Sequence, residues 1–319
     1  MDRDHFLQDI ERKPNVLGAL ADSLDRGNPW VGSGITRESQ ILILGMGSSN
    51  FAGQVFAARL RKHGIRAVAE LASSDLLPPP SADLVVIAIS AGGSSIETLT
   101  ALDAYLERSH VVALTNTSDS LIGQRAKVVI DMHAERELSG IACRSFQHTL
   151  AMLLSLETYL LEHDLDRVSS VIRKSADATG DLLVRRGEWL DELAAIIMSG
   201  TGGVHAVAPA RRMSSAQQGA LMFREGPRIA GTASETGEWS HVDVYLTKST
   251  DYRMILFAGS IWEPQLFRRT GERGSKVISV GAELDGAAFN LRFANDDDDD
   301  VRLISEVVVA ELLAWKVWV

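Results

Sequence analysis

The stretch Ile41–Ser49, which reads ILILGMGSS, decides the class of fold. Its first four residues are apolar without alternation, which is typical of a strand buried on both faces of a parallel sheet. A loop rich in glycine and serine follows, and a helical pattern begins near Asn50. The same order recurs where the buried run Leu84–Ile89 leads into Ser90–Ser95 and a helix from about Ile96. We therefore predict an α/β protein with mainly parallel, Rossmann-like or flavodoxin-like sheets flanked by helices.

A weaker copy of this pattern fills the second half of the chain. Strands are predicted at Val204–Val207, Met254–Ala258 and Val277–Val280. Corresponding positions 46 and 208, 90 and 258, and 114 and 279 lie 162, 168 and 165 residues apart. Such a near-constant offset predicts two similar domains. The predicted division is a helical segment at 1–34, a first domain at 35–165, a helical connection at 166–200 and a second domain at 201–319.

The composition excludes several classes of function. The chain has 319 residues, 45% of them apolar, and 32 Lys and Arg against 42 Asp and Glu give a net charge of −10. A net acidic chain without a basic cluster is not expected to bind nucleic acid. The single cysteine, Cys143, excludes an internal disulfide framework and fits a reducing compartment. Without a signal peptide or an apolar run of the ~18 residues that span a membrane, we expect a cytoplasmic protein without a membrane partner.

Two loops of the first half carry the candidate ligand-binding residues. Each loop precedes a helix, whose unpaired N–H groups and partial positive charge suit an anion. In open α/β sheets, such loops gather in one crevice at the carboxyl ends of the strands. The pattern therefore predicts a phosphate site, although serines in these places could also do no more than cap their helices. The candidate residues are Gly47, Ser48, Ser49, Ser90, Gly92, Ser94 and Ser95.

A dinucleotide site is the alternative for the first of these loops. Gly45-x-Gly47 opens the fingerprint of that motif, and Glu70 stands in a plausible place for a ribose contact. Asn50, however, occupies the third glycine position, where close helix packing requires the absence of a side chain. Asn50 in place of this glycine therefore disfavours the binding of NAD. The chain also lacks the lysine-containing loop motif of nucleoside triphosphate enzymes.

The second half offers a possible acid–base pair. Glu225 ends a predicted helix before Gly226-Pro227, so its carboxylate opposes the helix dipole. This placement is expected to raise the pKa of Glu225, as a general base requires. His241 stands sixteen residues later and is a candidate proton donor. From the pattern alone, an exposed surface glutamate and a structural histidine remain the alternatives.

The motifs, taken in order, resemble the sugar isomerase (SIS) domain family, and in particular the two-domain isomerase module of glucosamine-6-phosphate synthase. The resemblance extends from about Phe6 to Trp318. The matching segments are Ile43–Gly53, Ile87–Leu99, Ser139–Leu150, Gln218–Glu225 and Gly237–His241.

The resemblance implies roles for individual residues. Ser49, Ser90 and Ser95 match the phosphate binders of the family, and Ser48 matches a hydroxyl residue that faces the sugar. Glu225 matches the glutamate that moves a proton between C1 and C2. His241 matches a histidine that assists ring opening and comes from a neighbouring subunit, which implies a homodimer with a shared active site.

The chain also departs from the family pattern. Ala91 and Gly92 replace a glutamine and a serine of the phosphate loop, and Met222 and Gln218 replace a lysine and a glutamate near the catalytic position. The sequence ends at Val319 without the lysine-bearing tail of the synthase, and no glutaminase domain precedes it. Glutamine-dependent synthesis is therefore not expected of this chain.

The resemblance implies a phosphosugar isomerase, deaminase or deglycase. Its substrate would be a hexose or amino-sugar 6-phosphate, and the proton would move between C1 and C2 through an enediol or enolamine. This chemistry needs neither a metal nor an organic cofactor. The alternative is a non-catalytic regulatory protein that binds a sugar phosphate.

Overall fold

The computed structural model describes all 319 residues, Met1–Val319. Contacts divide the chain into two compact units. The first-sheet unit consists of Asn15–Glu137 and Ala142–Arg173, and the second-sheet unit consists of Met1–Pro14, Leu138–Ile141 and Lys174–Val319. No helix combines the length and the apolar character needed to cross a lipid bilayer.

Ten strands and thirteen α-helices make up the two units. The strands are β1 Gln40–Gly45, β2 Ala67–Leu71, β3 Leu84–Ile89, β4 His110–Thr115, β5 Val128–Asp131, β6 Val204–Ala208, β7 Gly231–Glu235, β8 Arg253–Phe257, β9 Lys276–Val280 and β10 Phe289–Leu291. The helices are α1 Arg3–Glu11, α2 Lys13–Leu24, α3 Ser48–Lys62, α4 Ile96–Asp103, α5 Leu121–Arg125, α6 Arg144–Leu160, α7 Leu165–Val184, α8 Arg186–Met198, α9 Met213–Glu225, α10 Thr236–Trp239, α11 Glu263–Glu272, α12 Asp299–Ser305 and α13 Val307–Val317.

The first-sheet unit contains a five-stranded parallel sheet in the order β2-β1-β3-β4-β5. All six residues of β3 are buried, as the continuous apolar run predicts for a central parallel strand. The order reverses between β1 and β3, since the chain turns from β1 to β2 on one side before it returns to β3 on the other. This reversal is the position where open α/β sheets bind ligands.

The second-sheet unit repeats that topology. Its sheet is parallel throughout and has the order β10-β9-β8-β6-β7. Counted along the chain from β6, this is again the order 2-1-3-4-5. The α/β fold class with two similar domains, predicted from the repeat offset, is therefore confirmed.

The sequence pattern misses three strands, β2, β7 and β10. Each lies at an edge of its sheet, and each contains exposed or half-buried residues. An edge strand has one neighbour and less apolar cover, so it does not need the continuous apolar run that identifies a central strand. The predicted N-terminal helix is likewise divided into α1 and α2, which meet at Arg12.

Candidate functional site

The two serine-rich loops begin on neighbouring strands of the first sheet. Strands β1 and β3 pair directly, with Leu44 opposite Ala88. Their carboxyl ends are therefore separated by about one strand spacing, ~5 Å. Both loops leave the sheet at its point of reversed strand order. The sheet thus brings the two predicted phosphate loops to one edge.

Glycine at three positions shapes the first loop. Gly47 precedes α3 with φ 50°, in the left-handed region. A Cβ atom at Gly45 would lie 2.7 Å from Cβ of Ser49, and one at Gly53 would lie 2.8 Å from Cγ2 of Ile43. Helix α3 consequently begins directly over the end of β1, and Ser48 and Ser49 form its first turn with half-buried side chains.

The second loop contains one glycine that is sterically required and one that is not. Gly93 has φ 62°, and a Cβ atom there would lie 1.9 Å from Oγ of Ser120, which caps α5. At Gly92 the space is open, since the nearest atom to a Cβ would be Oγ of Ser94 at 3.9 Å. The loop is thus fixed at Gly93 and has room for a side chain at Gly92.

The serines of the two loops differ in their partners. Ser95 is the N-cap of α4: its Oγ accepts the N–H of Thr98 and donates to the carboxylate of Glu97 at 2.8 Å. The side chains of the other four serines make no hydrogen bond within the chain and are half-buried or exposed. Four hydroxyls are therefore available to a ligand, and they are those of Ser48, Ser49, Ser90 and Ser94.

Comparison with known protein families matches residues 34–161 to the SIS domain, and this range contains both loops. These residues of the chain form a SIS domain. The chain is homologous to the isomerase domain of glutamine–fructose-6-phosphate aminotransferase. The aminotransferase (isomerizing) of Sulfurisphaera tokodaii is 23% identical to it over 318 residues, which are 97% of this chain and 51% of that protein. The chain thus spans about half the length of that relative.

Solved structures share the fold of both units. The C-terminal domain of glucosamine–fructose-6-phosphate aminotransferase from Francisella tularensis superposes with a TM-score of 0.79 at 17% identity, over 98% of this chain and 95% of that one. Glucosamine-6-phosphate deaminase from Thermotoga maritima has a TM-score of 0.72 at 18% identity, over 98% and 93% of the two chains.

The second-sheet unit fills the equivalent crevice with its own side chains. The carboxylate of Glu263 accepts the N–H groups of Gly259 and Ser260 in the loop after β8, the latter at 2.8 Å. Guanidinium groups of Arg211, Arg212 and Arg302 converge on Gly259. A carboxylate thus occupies the anion position at the point of reversed strand order in this sheet.

Glu225 is the last residue of α9, as the sequence predicts, and lines a cavity of about 620 Å³. The cavity is open at the surface of the second-sheet unit. Its walls include Gly226, Pro227, Arg228, Trp318 and the terminal residues Met1 and Val319. A half-buried carboxylate at the wall of an open cavity can reach a small molecule that enters it.

The second sheet separates Glu225 from His241 within one chain. Helix α9 leads from the end of β6 back to the start of β7, so Glu225 lies at the amino edge of the sheet. His241 is exposed and follows α10, beyond the other end of β7. The five residues of β7 span ~16 Å. The fold therefore does not bring these two residues together in a single chain.

His241 is followed by exposed apolar residues. Val242 is 54% exposed, Tyr245 64%, Ile261 82% and Trp262 49%. Trp262 lies beside α10, the helix that precedes His241, since a Cβ atom on Gly237 would lie 3.0 Å from the ring of Trp262. Exposed apolar side chains that cluster in this way are typical of an interaction surface. We refer to these four residues as the apolar patch.

A buried histidine lies on the opposite face of β6 from α9, and the sequence pattern did not identify it. His205 stacks on Tyr252 with a centroid distance of 3.9 Å, and its Nδ1 lies 2.7 Å from Oγ1 of Thr232. Burial lowers the pKa of His205, although the nearby Asp243 acts in the opposite direction. This histidine is therefore part of the core and not of the crevice.

No group of three or more His, Cys, Asp or Glu side chains is placed to hold a metal ion. The acidic run Asp296–Asp300 instead serves the fold. Asp298 caps α12, and Asp296 pairs with Arg292 at 2.6 Å. These residues lie where negative charge stabilises a helix N-terminus.

Proposed function

We propose that the protein is a phosphosugar isomerase or an amino-sugar-phosphate deaminase or deglycase. The observation that carries this proposal is the set of four available hydroxyls on two loops at the point of reversed strand order. Helix N-termini and hydroxyl donors together favour a phosphate group over a neutral ligand. The enzymes named among the related proteins and structures, an isomerizing aminotransferase and a deaminase, act on sugars of this type.

In this proposal, Gly47, Ser48 and Ser49 bind the phosphate together with the loop Ser90–Ser95. The N–H groups at the start of α3 face the phosphate, and the hydroxyls donate to its oxygens. Because Ser95 already donates to Glu97, it contributes to the phosphate site mainly by holding the start of α4 in place. Gly92 belongs to this loop and faces open space, so it contributes backbone groups to the site but no side-chain donor.

Glu225 moves the proton. Its carboxylate takes a proton from the carbon next to the carbonyl or imine and returns it to the neighbouring carbon, through an enediol or enolamine. The open cavity at the end of α9 admits the sugar. Proton transfer by a positioned carboxylate contributes typically 100- to 10,000-fold to the rate, about 3 to 5 kcal/mol.

His241 acts from a second copy of the chain in this proposal. Two observations support a homodimer with a shared active site: the second sheet keeps Glu225 and His241 apart within one chain, and the apolar patch lies immediately after His241. Burying the patch against the same patch of a second copy removes four large side chains of each chain from water. We also propose a cytoplasmic location, because the single, buried cysteine is free and fits a reducing compartment.

A non-catalytic sugar-phosphate sensor is the second candidate. It is motivated by Met222, which is fully buried in α9 where the family places a lysine, and by the missing side chain at Gly92. A sensor needs the phosphate loops but does not need a proton shuttle. The two candidates therefore differ in whether Glu225 affects turnover.

The deciding experiment is proton NMR in deuterium oxide with a panel of hexose and amino-sugar 6-phosphates. We expect the wild type to exchange a C1 or C2 proton of one sugar for deuterium, while Glu225→Gln binds that sugar without exchange. Glu272→Gln is the matched control, because Glu272 is also the last residue of a helix and is exposed. If the wild type binds the sugar without exchange, the protein is a sensor and not an enzyme. If Glu225→Gln still exchanges the proton, Glu225 is not the residue that moves it.

A further inference from the structure

The turn between α9 and β7 places an arginine in an unfavourable backbone conformation. Arg228 has φ 59°, in the left-handed region that residues with a Cβ atom rarely adopt. The turn is fixed on both sides, because Pro227 restricts its own φ and the N–H of Ile229 donates to the carbonyl of Phe223 at 2.9 Å. Glycine or asparagine would adopt this conformation more easily.

No side-chain interaction of Arg228 within the chain offsets the cost of this backbone conformation. Its side chain is exposed, and its guanidinium group makes no hydrogen bond or ion pair within the chain. Strained residues that persist without a structural reason are found mainly at functional sites.

The cavity that holds Glu225 is also lined by Arg228. The two residues are three apart along one turn, at the amino edge of the second sheet. A molecule in this cavity therefore meets a carboxylate and a guanidinium group that has no other partner. The sequence pattern and the family resemblance do not identify Arg228 as a site residue.

We propose that Arg228 is a catalytic residue that binds the two reacting oxygens of the sugar. This inference rests on the proposed function. The planar guanidinium group donates two parallel N–H bonds, a geometry that fits two neighbouring oxygens sharing one negative charge, as in a carboxylate. The O1 and O2 atoms of a cis-enediolate have the same arrangement. Because arginine keeps its proton at all working pH values, it stabilises this charge without taking part in the proton transfer.

For an aldose, the proposed step moves a proton from C2 to C1. Glu225 takes the proton from C2, the C–H electron pair forms the C1=C2 bond, and the C1=O π pair moves to O1. The hydroxyl proton of O2 passes to O1. The electron pair on O2 then forms the C2=O bond of the ketose, and the C1=C2 π pair takes the proton back from Glu225 to form the new C1–H bond. Arg228 donates hydrogen bonds to O1 and O2 throughout, so its contribution is largest when the charge is on these oxygens.

The test compares Arg228→Gly, Arg228→Lys and Arg224→Gln with the wild type, using the sugar that the wild type deuterates. Arg228→Gly relieves the backbone conformation, so we expect an equal or higher melting temperature together with a ~100- to 1000-fold lower kcat and a smaller change in KM. Arg228→Lys should recover part of kcat. Arg224→Gln removes the same charge from the exposed end of α9 and should behave like the wild type.

Binding of a hydroxamate analogue provides a readout that does not depend on turnover. An aldonohydroxamate phosphate carries two adjacent oxygens like the enediolate, whereas a hexitol 6-phosphate does not. Arg228→Gly should lose affinity for the hydroxamate and keep its affinity for the hexitol phosphate. Equal kcat in Arg228→Gly and wild type, or equal loss of both ligands, would overturn the role of Arg228 alone. Absence of exchange in the wild type would overturn the proposed function and this role with it.

Discussion

Gly92 and Gly93 are neighbours in the second phosphate loop, yet they differ in their tolerance of a side chain. Gly93 is held against Ser120 in a left-handed conformation, and Gly92 faces open space. The SIS family resemblance places a serine at position 92, so this chain lacks one hydroxyl donor without a steric reason. The loop could therefore accommodate the missing donor.

We predict that Gly92→Ser binds the phosphosugar about tenfold more tightly. One hydrogen bond to a charged group contributes about 1.5 to 3 kcal/mol, and 1.4 kcal/mol corresponds to a factor of ten in Kd. Calorimetric titration of the substrate identified by NMR measures the change. Gly93→Ala is the contrasting variant: its Cβ atom clashes with Ser120, so it should bind weakly and unfold at a lower temperature. Unchanged or weaker binding by Gly92→Ser would place the phosphate away from this loop.

The sequence predicts part of the candidate site at the level of residues. Ser48, Ser49 and Ser90 follow from glycine-rich loops after buried strands, because that pattern has a local cause. Arg228 does not follow, since its significance lies in a backbone angle and in a cavity wall that only the folded chain creates. Residues whose role depends on tertiary placement leave no local pattern.

At the level of elements, helix α4 depends on one serine. Ser95 caps its N-terminus and donates to Glu97, whereas Ser90 directly follows β3 and its side chain makes no hydrogen bond. Ser95 therefore fits the alternative interpretation that the loop serines cap helices, whereas Ser90 caps no helix. The two serines should respond differently to the same substitution.

We predict that Ser95→Ala lowers the free energy of unfolding by about 1 kcal/mol, the usual cost of a lost N-cap. Ser90→Ala should leave the stability within ~0.5 kcal/mol and weaken phosphosugar binding instead. Urea unfolding and ligand titration of both variants separate the two effects. A Ser90→Ala protein with wild-type affinity would argue against Ser90 as a phosphate ligand.

The second sheet carries a pH-dependent element in His205. Its pKa is lowered by burial from the ordinary value of 6.5, so the folded protein holds it neutral. As the pH falls below 6.5, the unfolded chain takes up a proton on this residue that the folded chain does not. The free energy of unfolding therefore decreases from about pH 6.5 downwards, until the pH reaches the lower pKa of the folded state.

We predict that His205→Phe removes this part of the pH dependence. Phenylalanine keeps the stacking on Tyr252 but cannot take up a proton. Chemical denaturation of wild type and variant between pH 5 and pH 8 gives the difference between two stability curves, in which the other seven histidines cancel. The difference should grow in favour of the variant as the pH falls. Parallel curves would mean that His205 is as readily protonated in the folded protein as in the unfolded one.

The secondary-structure elements also differ in how well the apolar pattern of the sequence predicts them. The central strands and the start of α4 at Ile96 follow from apolar runs and loop composition, because burial on both faces dictates the sequence. Edge strands β2 and β7 escape detection, since solvent on one side permits almost any residue. Central elements are thus more predictable than edges.

For the whole molecule, the separation of Glu225 and His241 across one sheet leads to a prediction about subunits. If each active site takes Glu225 from one chain and His241 from another, two inactive variants should complement each other. We expect a mixed dimer of Glu225→Gln with His241→Ala, isolated through two different tags, to have about half of the wild-type activity, because one of its two sites is intact.

The two parent homodimers serve as controls and should both be inactive. A variant with Trp262→Glu in the apolar patch should dissociate into single chains at low concentration, as seen by analytical ultracentrifugation. An inactive mixed dimer would show that Glu225 and His241 act within the same chain or not at all.

Glu263 gives the second-sheet unit an anion that is part of its own chain. A tethered group of this kind has an effective concentration that a free ligand rarely reaches, so phosphate in solution does not displace it. In the proposed function, the first-sheet unit therefore receives the phosphate, whereas the crevice of the second-sheet unit is already filled by Glu263. The expected outcome is a stoichiometry of one phosphosugar per chain, despite two crevices built on the same strand order.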